Sequence, residues 1–279
     1  MKLIASQSTL IKDTDFEVLA WEYFLKAKRD GVMHAEIFFD PQAHVERGVA
    51  YSTVVHGLTT ACKRAQTELG ITVELIPCIL RHLPLSSAWE MYKQALPDLQ
   101  SGAVAGLGLS STELGNRPRQ FKEIYADAEA KGIRRTAHAG EEGDVSYMRE
   151  ALEVIHIQRA DHGIKLADDP ELMVEFASKK ILVTVCPLSN VELRCVKNVK
   201  ELPLRTFLDN GVQFSINSDD PSYFGGYILA NYCAVQEAFN FSVEEWAKIV
   251  IASIERSWCS ENRKDDMLKL LDNHMKAFA

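Results

Sequence analysis

The sequence predicts an α/β fold of repeated strand–helix units, in the (β/α)8 TIM-barrel class and lacking its first β/α unit. Three observations carry that expectation. Aliphatic, β-branched runs of strand length alternate with helix-periodic stretches along most of the 279 residues. Histidines and carboxylates fall within these runs or at their C-terminal ends, on several different runs, and a barrel gathers such ends around one mouth. No G-x-G-x-x-G follows the first strand run, and "AGLGLSS" lacks the spacing of a phosphate loop, which argues against an open dinucleotide-binding sheet.

Taken in order, the chain opens with helical periodicity from about Asp13 to Asp30. Phe16, Leu19, Ala20, Phe24 and Ala27 lie on one side, Asp13 is placed to cap the start, and Gly31 stops the helix. The run "VMHAEIFF" reads as a strand, and a helix from about Ser52 to Leu69 ends at Gly70. Strand runs then follow as "ITVELIPCIL", "AVAGLGL", "IRRTAH", "QRADHG", "ILVTVCP" and "VQFSIN". Helical stretches separate the later ones, around Arg119 to Lys131, Val145 to Ile155, Asp169 to Ser178 and Glu201 to Asn210. Ser242 and Glu245 form an S-x-x-E capping box for a long helix reaching about Trp258. The count is seven strands where the barrel needs eight, and because a helix precedes "VMHAEIFF" the missing strand is the first. A single domain spanning residues 1–279 is expected.

Composition narrows the function classes. The net charge of −8 and the absence of a basic run argue against nucleic acid or an anionic membrane surface as partner, and in favour of a small molecule. No stretch approaches the length of a spanning helix, and the N-terminus has no signal-peptide core. The six cysteines are scattered without a CxxC pair, as reduced and mostly buried thiols of a cytoplasmic or nuclear protein are.

The chemistry follows from three strand ends. His138, His162 and Asp219 offer two imidazoles and a carboxylate, a donor set suited to zinc or iron with room for a water. Zinc lowers the pKa of a bound water to about 7, so hydroxide becomes available at neutral pH. Glu141, just beyond His138, is placed to carry protons to and from a substrate. Each piece alone also has a structural reading: Asp219 and Asp220 capping a turn before Pro221, Glu141 and Glu142 as a solvated pair, Asp161 and His162 as a surface salt link. Their shared position at strand ends favours metal-assisted hydrolysis. His44, His56, His82, His156 and His274 are read as structural.

The motifs "TAHAGE", "DHGI", "CPLSN" and "SINSDDP" stand in the order and spacing of the adenosine/adenine deaminase family of metal-dependent barrels, which the chain resembles over nearly its whole length. The longer matches "HAEIFFDPQAH", "CPLSNVELRC" and "SDDPSYFGGYI" resemble the fungal, adenine-specific branch of that family. The resemblance implies zinc-dependent hydrolytic deamination of adenine to hypoxanthine and ammonia in purine salvage. It implies His138 and Asp219 as zinc ligands, and Glu141 as the group that protonates the purine N1 and makes C6 electrophilic. It also implies that His162 orients and stabilises the attacking hydroxide rather than ligating the metal, and that Asp220 hydrogen-bonds N7. On this point it revises the three-donor set read from the residues. "YFGGY", Tyr223 to Tyr227, resembles the free-base enzymes, although by itself the loop reads as a glycine turn with packed aromatics.

One departure stands out. The family signature opens with an H-x-H pair on the first strand, which supplies two zinc ligands, and no H-x-H occurs in the sequence. His34 of "HAE" belongs to the second-strand motif. The expectation is a truncated gene model or fragment, beginning at an internal methionine, that alone binds zinc weakly and is nearly inactive. Two other readings stay open: deamination of adenosine or of a modified adenine nucleotide, and a non-catalytic remnant that binds purines or a full-length partner.

Overall fold

In the computed structural model the described residues are 9–276. The chain divides into two compact units, residues 1–136 and 137–279. The described residues hold seven strands, all paired in parallel where register is defined, so the strand–helix alternation expected of this α/β class is borne out.

The first unit contains helix α1 (Asp13–Arg29), strand β1 (His34–Phe39), helix α2 (Tyr51–Arg64), strand β2 (Thr72–Leu80), helix α3 (Leu85–Ser101), strand β3 (Gly106–Ser110) and helix α4 (Lys122–Ala130). It ends in the start of strand β4 (Arg134–Ala139). β1 runs parallel to β2 with Ile37 opposite Leu75; β2 pairs with β3 and β3 with the start of β4. Phe24 and Ala27 of α1 pack against Ala61 of α2, Ala65 and Ile71, with Ile37 and Val73 from the strands lying against them. Removing a phenylalanine side chain such as Phe24 from water stabilises this layer by about 2–3 kcal/mol.

Three local details differ from the sequence expectation. Lys12 rather than Asp13 occupies the N-cap of α1, and Asp15 reaches back to accept the Ile11 and Lys12 amides at 2.9 and 2.8 Å. An acidic side chain at the third helical position thus satisfies the amides of the cap residue and of the one before it, the reciprocal half of a capping box. Leu19 is 55 % exposed, because the inward stripe of α1 is the narrower set Phe16, Ala20, Phe24 and Ala27. α3 has no counterpart in the expected elements: Pro97 interrupts its sequence pattern, yet Ala88, Met91, Tyr92, Ala95 and Leu99 are buried at helical spacing. His34 and Glu36 lie in the first half of β1, with the His34 imidazole 2.9 Å from Thr72 Oγ1 and 3.3 Å from Glu36.

The second unit takes up the end of β4 and continues with helix α5 (Val145–Glu153), strand β5 (Arg159–His162), helix α6 (Pro170–Lys179), strand β6 (Leu182–Val185) and helix α7 (Pro187–Glu192). Helix α8 (Leu204–Asp209), strand β7 (Phe214–Ile216) and helices α9 (Ile228–Phe239), α10 (Val243–Arg256) and α11 (Glu261–Met275) complete it. β5 pairs with β6, Asp161 opposite Thr184, and β6 with β7, Val185 opposite Ile216. Every residue of β5 and β7 is buried, as expected of parallel strands covered on both faces. Asp169 caps α6 through the Leu172 amide, and the Ser242–Glu245 capping box at α10 forms in both directions. Among the described residues no helix is long and apolar enough to cross a membrane.

Candidate active site

The C-terminal ends of β4, β5, β6 and β7 supply the chemically active side chains of the second unit. At the end of β4, His138 is followed by Ala139 and by Gly140 with φ +74, a left-handed conformation that turns the chain toward Glu141. A Cβ on Gly140 would lie 2.6 Å from Met148 Sδ, so α5 packs directly against this turn. His162 ends β5 with φ +62 and Gly163 follows with φ +63; a Cβ on Gly163 would approach Val183 of β6 to 2.5 Å. Asp219, beyond β7, has φ +53. Left-handed backbone at a non-glycine residue costs about 1–3 kcal/mol and persists only where the surroundings over-determine it. Two such residues among the sequence candidates mark the strand ends as places where packing is spent on orientation.

The side chains converge as follows. His162, 3 % exposed, places Nδ1 3.2 Å from Glu141 Oε1 and Nε2 4.0 Å from Asp219 Oδ2. Asn190 of α7 donates from Nδ2 to Glu141 Oε1 at 2.9 Å, and Ser189 donates from Oγ to Asp219 Oδ2 at 2.5 Å. The His138 and His162 rings lie edge to face at 4.8 Å. His138 Nδ1 sits 3.5 Å from Asp161 Oδ2, while the other oxygen of Asp161 accepts from Thr184 at 3.3 Å and faces Arg159 at 3.5 Å. The Arg159 guanidinium in turn lies 4.1 Å over the Trp258 ring. A carboxylate behind a histidine is the arrangement that fixes ring orientation in metal sites.

Burial corrects two of the structural readings. Asp161 is 1 % exposed, so Asp161 and His162 are not a surface salt link, and Glu141 is buried whereas Glu142 is exposed, so they are not a solvated pair. Asp220 is exposed; its carbonyl accepts the Tyr223 and Phe224 amides at the start of a short helical turn, Pro221–Phe224. Four participants were not among the sequence candidates: Cys186, Ser189, Asn190 and Asp161. Cys186, Ser189 and Asn190 follow β6 within "CPLSN", and the strand-end rule that flags His138 would have flagged Cys186 as well.

The ligating atoms of His162, Cys186 and Asp219 all lie within 4.8 Å of one another. That group takes in His162 and leaves out His138, the imidazole expected as a ligand; imidazole nitrogen, sulfur and carboxylate oxygen are donors that zinc takes, so the residues present fit that ion by donor type. Burial pushes the Cys186 thiol up to about 12, which keeps it a neutral thiol as the chain stands. Burial works against a proton on His162, but the Glu141 carboxylate, followed by Cys186 and Asp219, outweighs it and raises the imidazole. Together the groups can hold a cation, orient a water-derived nucleophile and exchange a proton through Glu141.

Comparison with known proteins places the chain in a family. Residues 2–274 match the family described as adenosine deaminase. An adenine deaminase of Aspergillus fumigatus is 57 % identical over 271 residues, covering 96 % of this chain and 76 % of that protein. One of Schizosaccharomyces pombe is 51 % identical over 97 % of this chain and 74 % of its own length. Among solved structures, an adenine deaminase from Arthrobacter aurescens superposes with a TM-score of 0.93 at 40 % identity, over 98 % of this chain and 83 % of that one. An amidohydrolase from Burkholderia ambifaria with bound Zn gives a TM-score of 0.89 at 27 % identity, over 96 % and 75 %. The chain belongs to the adenosine deaminase family, a family of deaminating hydrolases.

Proposed function

We propose that this chain recognises adenine and deaminates it hydrolytically to hypoxanthine and ammonia, as a step of purine salvage, with zinc as the metal. The observation that carries the reading is the convergence of Glu141, His162 and Asp219 at the ends of β4, β5 and β7, within a chain 57 % identical to a fungal adenine deaminase.

In this reading His138 and Asp219 hold the metal, His138 backed by Asp161 and Asp219 by Ser189. Zinc supplies Lewis acidity, which makes hydroxide available near neutral pH. Glu141 gives a proton to the purine N1, drawing electrons from C6 and opening it to attack. His162, next to both carboxylates, orients the hydroxide and stabilises charge as C6 becomes tetrahedral, before ammonia leaves. Asp220, exposed at the rim of the same segment, hydrogen-bonds N7. The sequence holds no H-x-H pair, so turnover by these 279 residues alone is slow. The test is ammonia release from adenine, adenosine and an N6-substituted adenine nucleotide under identical conditions with zinc. Release from adenine in excess over the other two supports the reading. Preference for the nucleoside or the nucleotide overturns it.

A further inference from the structure

Asn190 is a polar group at the site that the proposed chemistry leaves unused. It is fully buried, and α7 fixes its backbone: its amide donates to the Cys186 carbonyl at 2.9 Å, and its own carbonyl accepts the Cys195 and Val196 amides. Its side-chain Nδ2 lies 2.9 Å from Glu141 Oε1 and 3.4 Å from His162 Nδ1, while its Oδ1 is buried and accepts no hydrogen bond from the described residues. A buried amide oxygen without a donor costs about 1–3 kcal/mol. The side chain is therefore oriented by what Nδ2 gains at Glu141, since the reversed orientation would set a carbonyl oxygen against the carboxylate.

We infer that Asn190 is a positioning residue that selects which oxygen of Glu141 carries the proton delivered to the purine. The inference rests on the proposed role of Glu141. Oε1 accepts from Asn190 Nδ2 at 2.9 Å, so a proton on Oε1 would be set against that N–H group. The proton of the neutral carboxyl group consequently resides on Oε2. In the transfer the Oε2–H bond breaks and an N1–H bond forms; the charge left on the carboxylate is held at Oε1 by the Asn190 amide. Asn190 touches neither substrate nor metal in this scheme. It makes the acid donate in one direction.

The experiment compares calorimetric affinities for adenine and for 1-deazaadenine, which lacks the N1 acceptor, in the purified protein with zinc. The wild type is expected to prefer adenine by about 10-fold or more, the worth of one hydrogen bond to a strongly polar group. Asn190→Leu, close in volume but without the donor, is expected to bring that preference to within about 3-fold while leaving 1-deazaadenine affinity nearly unchanged. Asn190→Ala serves the same comparison if the leucine variant does not fold. In a Glu141→Ala background, Asn190→Leu should change the preference no further. Equal loss for both ligands would make Asn190 merely structural and overturn the inference, as would a preserved preference for adenine. If Glu141→Ala itself leaves the preference intact, the proposed role of Glu141 fails. If it abolishes the preference while Asn190→Leu does not, the Asn190 inference alone fails.

Discussion

Replacing Gly140 by alanine strikes the turn that carries Glu141 into the site, and its cost can be worked from two observations. At φ +74 an L-residue in left-handed backbone loses about 1–2 kcal/mol. The new Cβ would also lie 2.6 Å from Met148 Sδ and 2.7 Å from its Cγ. Met148 is fully buried in α5, so the overlap must be relieved inside a packed layer, at about 1–3 kcal/mol. The expected destabilisation is about 2–5 kcal/mol. Gly211→Ala is the control: its φ is +72, but no atom lies within 4 Å of the added carbon, so only the backbone cost of about 1–2 kcal/mol applies. Urea unfolding of both variants against wild type measures the difference, read from midpoints at constant slope. Gly140→Ala should also weaken adenine binding, because relief of the clash moves Glu141. Equal destabilisation by the two variants would refute the claim that close packing of α5 against the turn sets the position of Glu141.

Ser189→Ala removes the hydroxyl that donates to Asp219 at 2.5 Å; zinc affinity measured by chelator competition should fall about 10- to 100-fold, with the fold intact by circular dichroism. Unchanged affinity would remove Asp219 from the ligand set or Ser189 from its support. His44 is buried and accepts from Arg47, and burial together with that guanidinium pulls its pKa from 6.5 to about 4. Between those values the unfolded chain takes up a proton that the folded chain does not, so stability falls as pH drops from about 6.5 to about 4. His44→Asn should flatten the pH dependence of the unfolding midpoint in that window; an unchanged slope would assign it to other groups.

Much of this site was legible in the sequence because its carriers obey a positional rule. His138 and His162 lie at the ends of short, largely buried strands and Asp219 lies just beyond one, and parallel strands place their C-terminal ends where helices and loops can enclose a ligand. Gly70 at a helix end and the Ser242–Glu245 box are local signals whose physics needs no tertiary context, and each forms as expected of its type. What was not legible depends on neighbours distant in sequence. Asn190 and Ser189 carry no charge and no ligand chemistry of their own, and matter only because α7 brings them to Glu141 and Asp219. Asp161 looks like a surface acid until β5 is covered on both faces, and the exposure of Leu19 follows from how narrow a stripe α1 buries. The left-handed conformation of His162 has no sequence signal except the Gly163 that follows, which is needed because Val183 leaves no room for a side chain.

The central claim is that Glu141 drives deamination of adenine at the second unit's strand ends. Single-turnover incubation of adenine with excess zinc-loaded protein, followed by quantification of hypoxanthine and ammonia, tests it most directly. The predicted result is equimolar hypoxanthine and ammonia, formed slowly by the wild type, at least about 100-fold more slowly by Glu141→Ala, and faster than inosine is formed from adenosine. Absence of hypoxanthine, faster formation of inosine, or an undiminished rate in Glu141→Ala would contradict it.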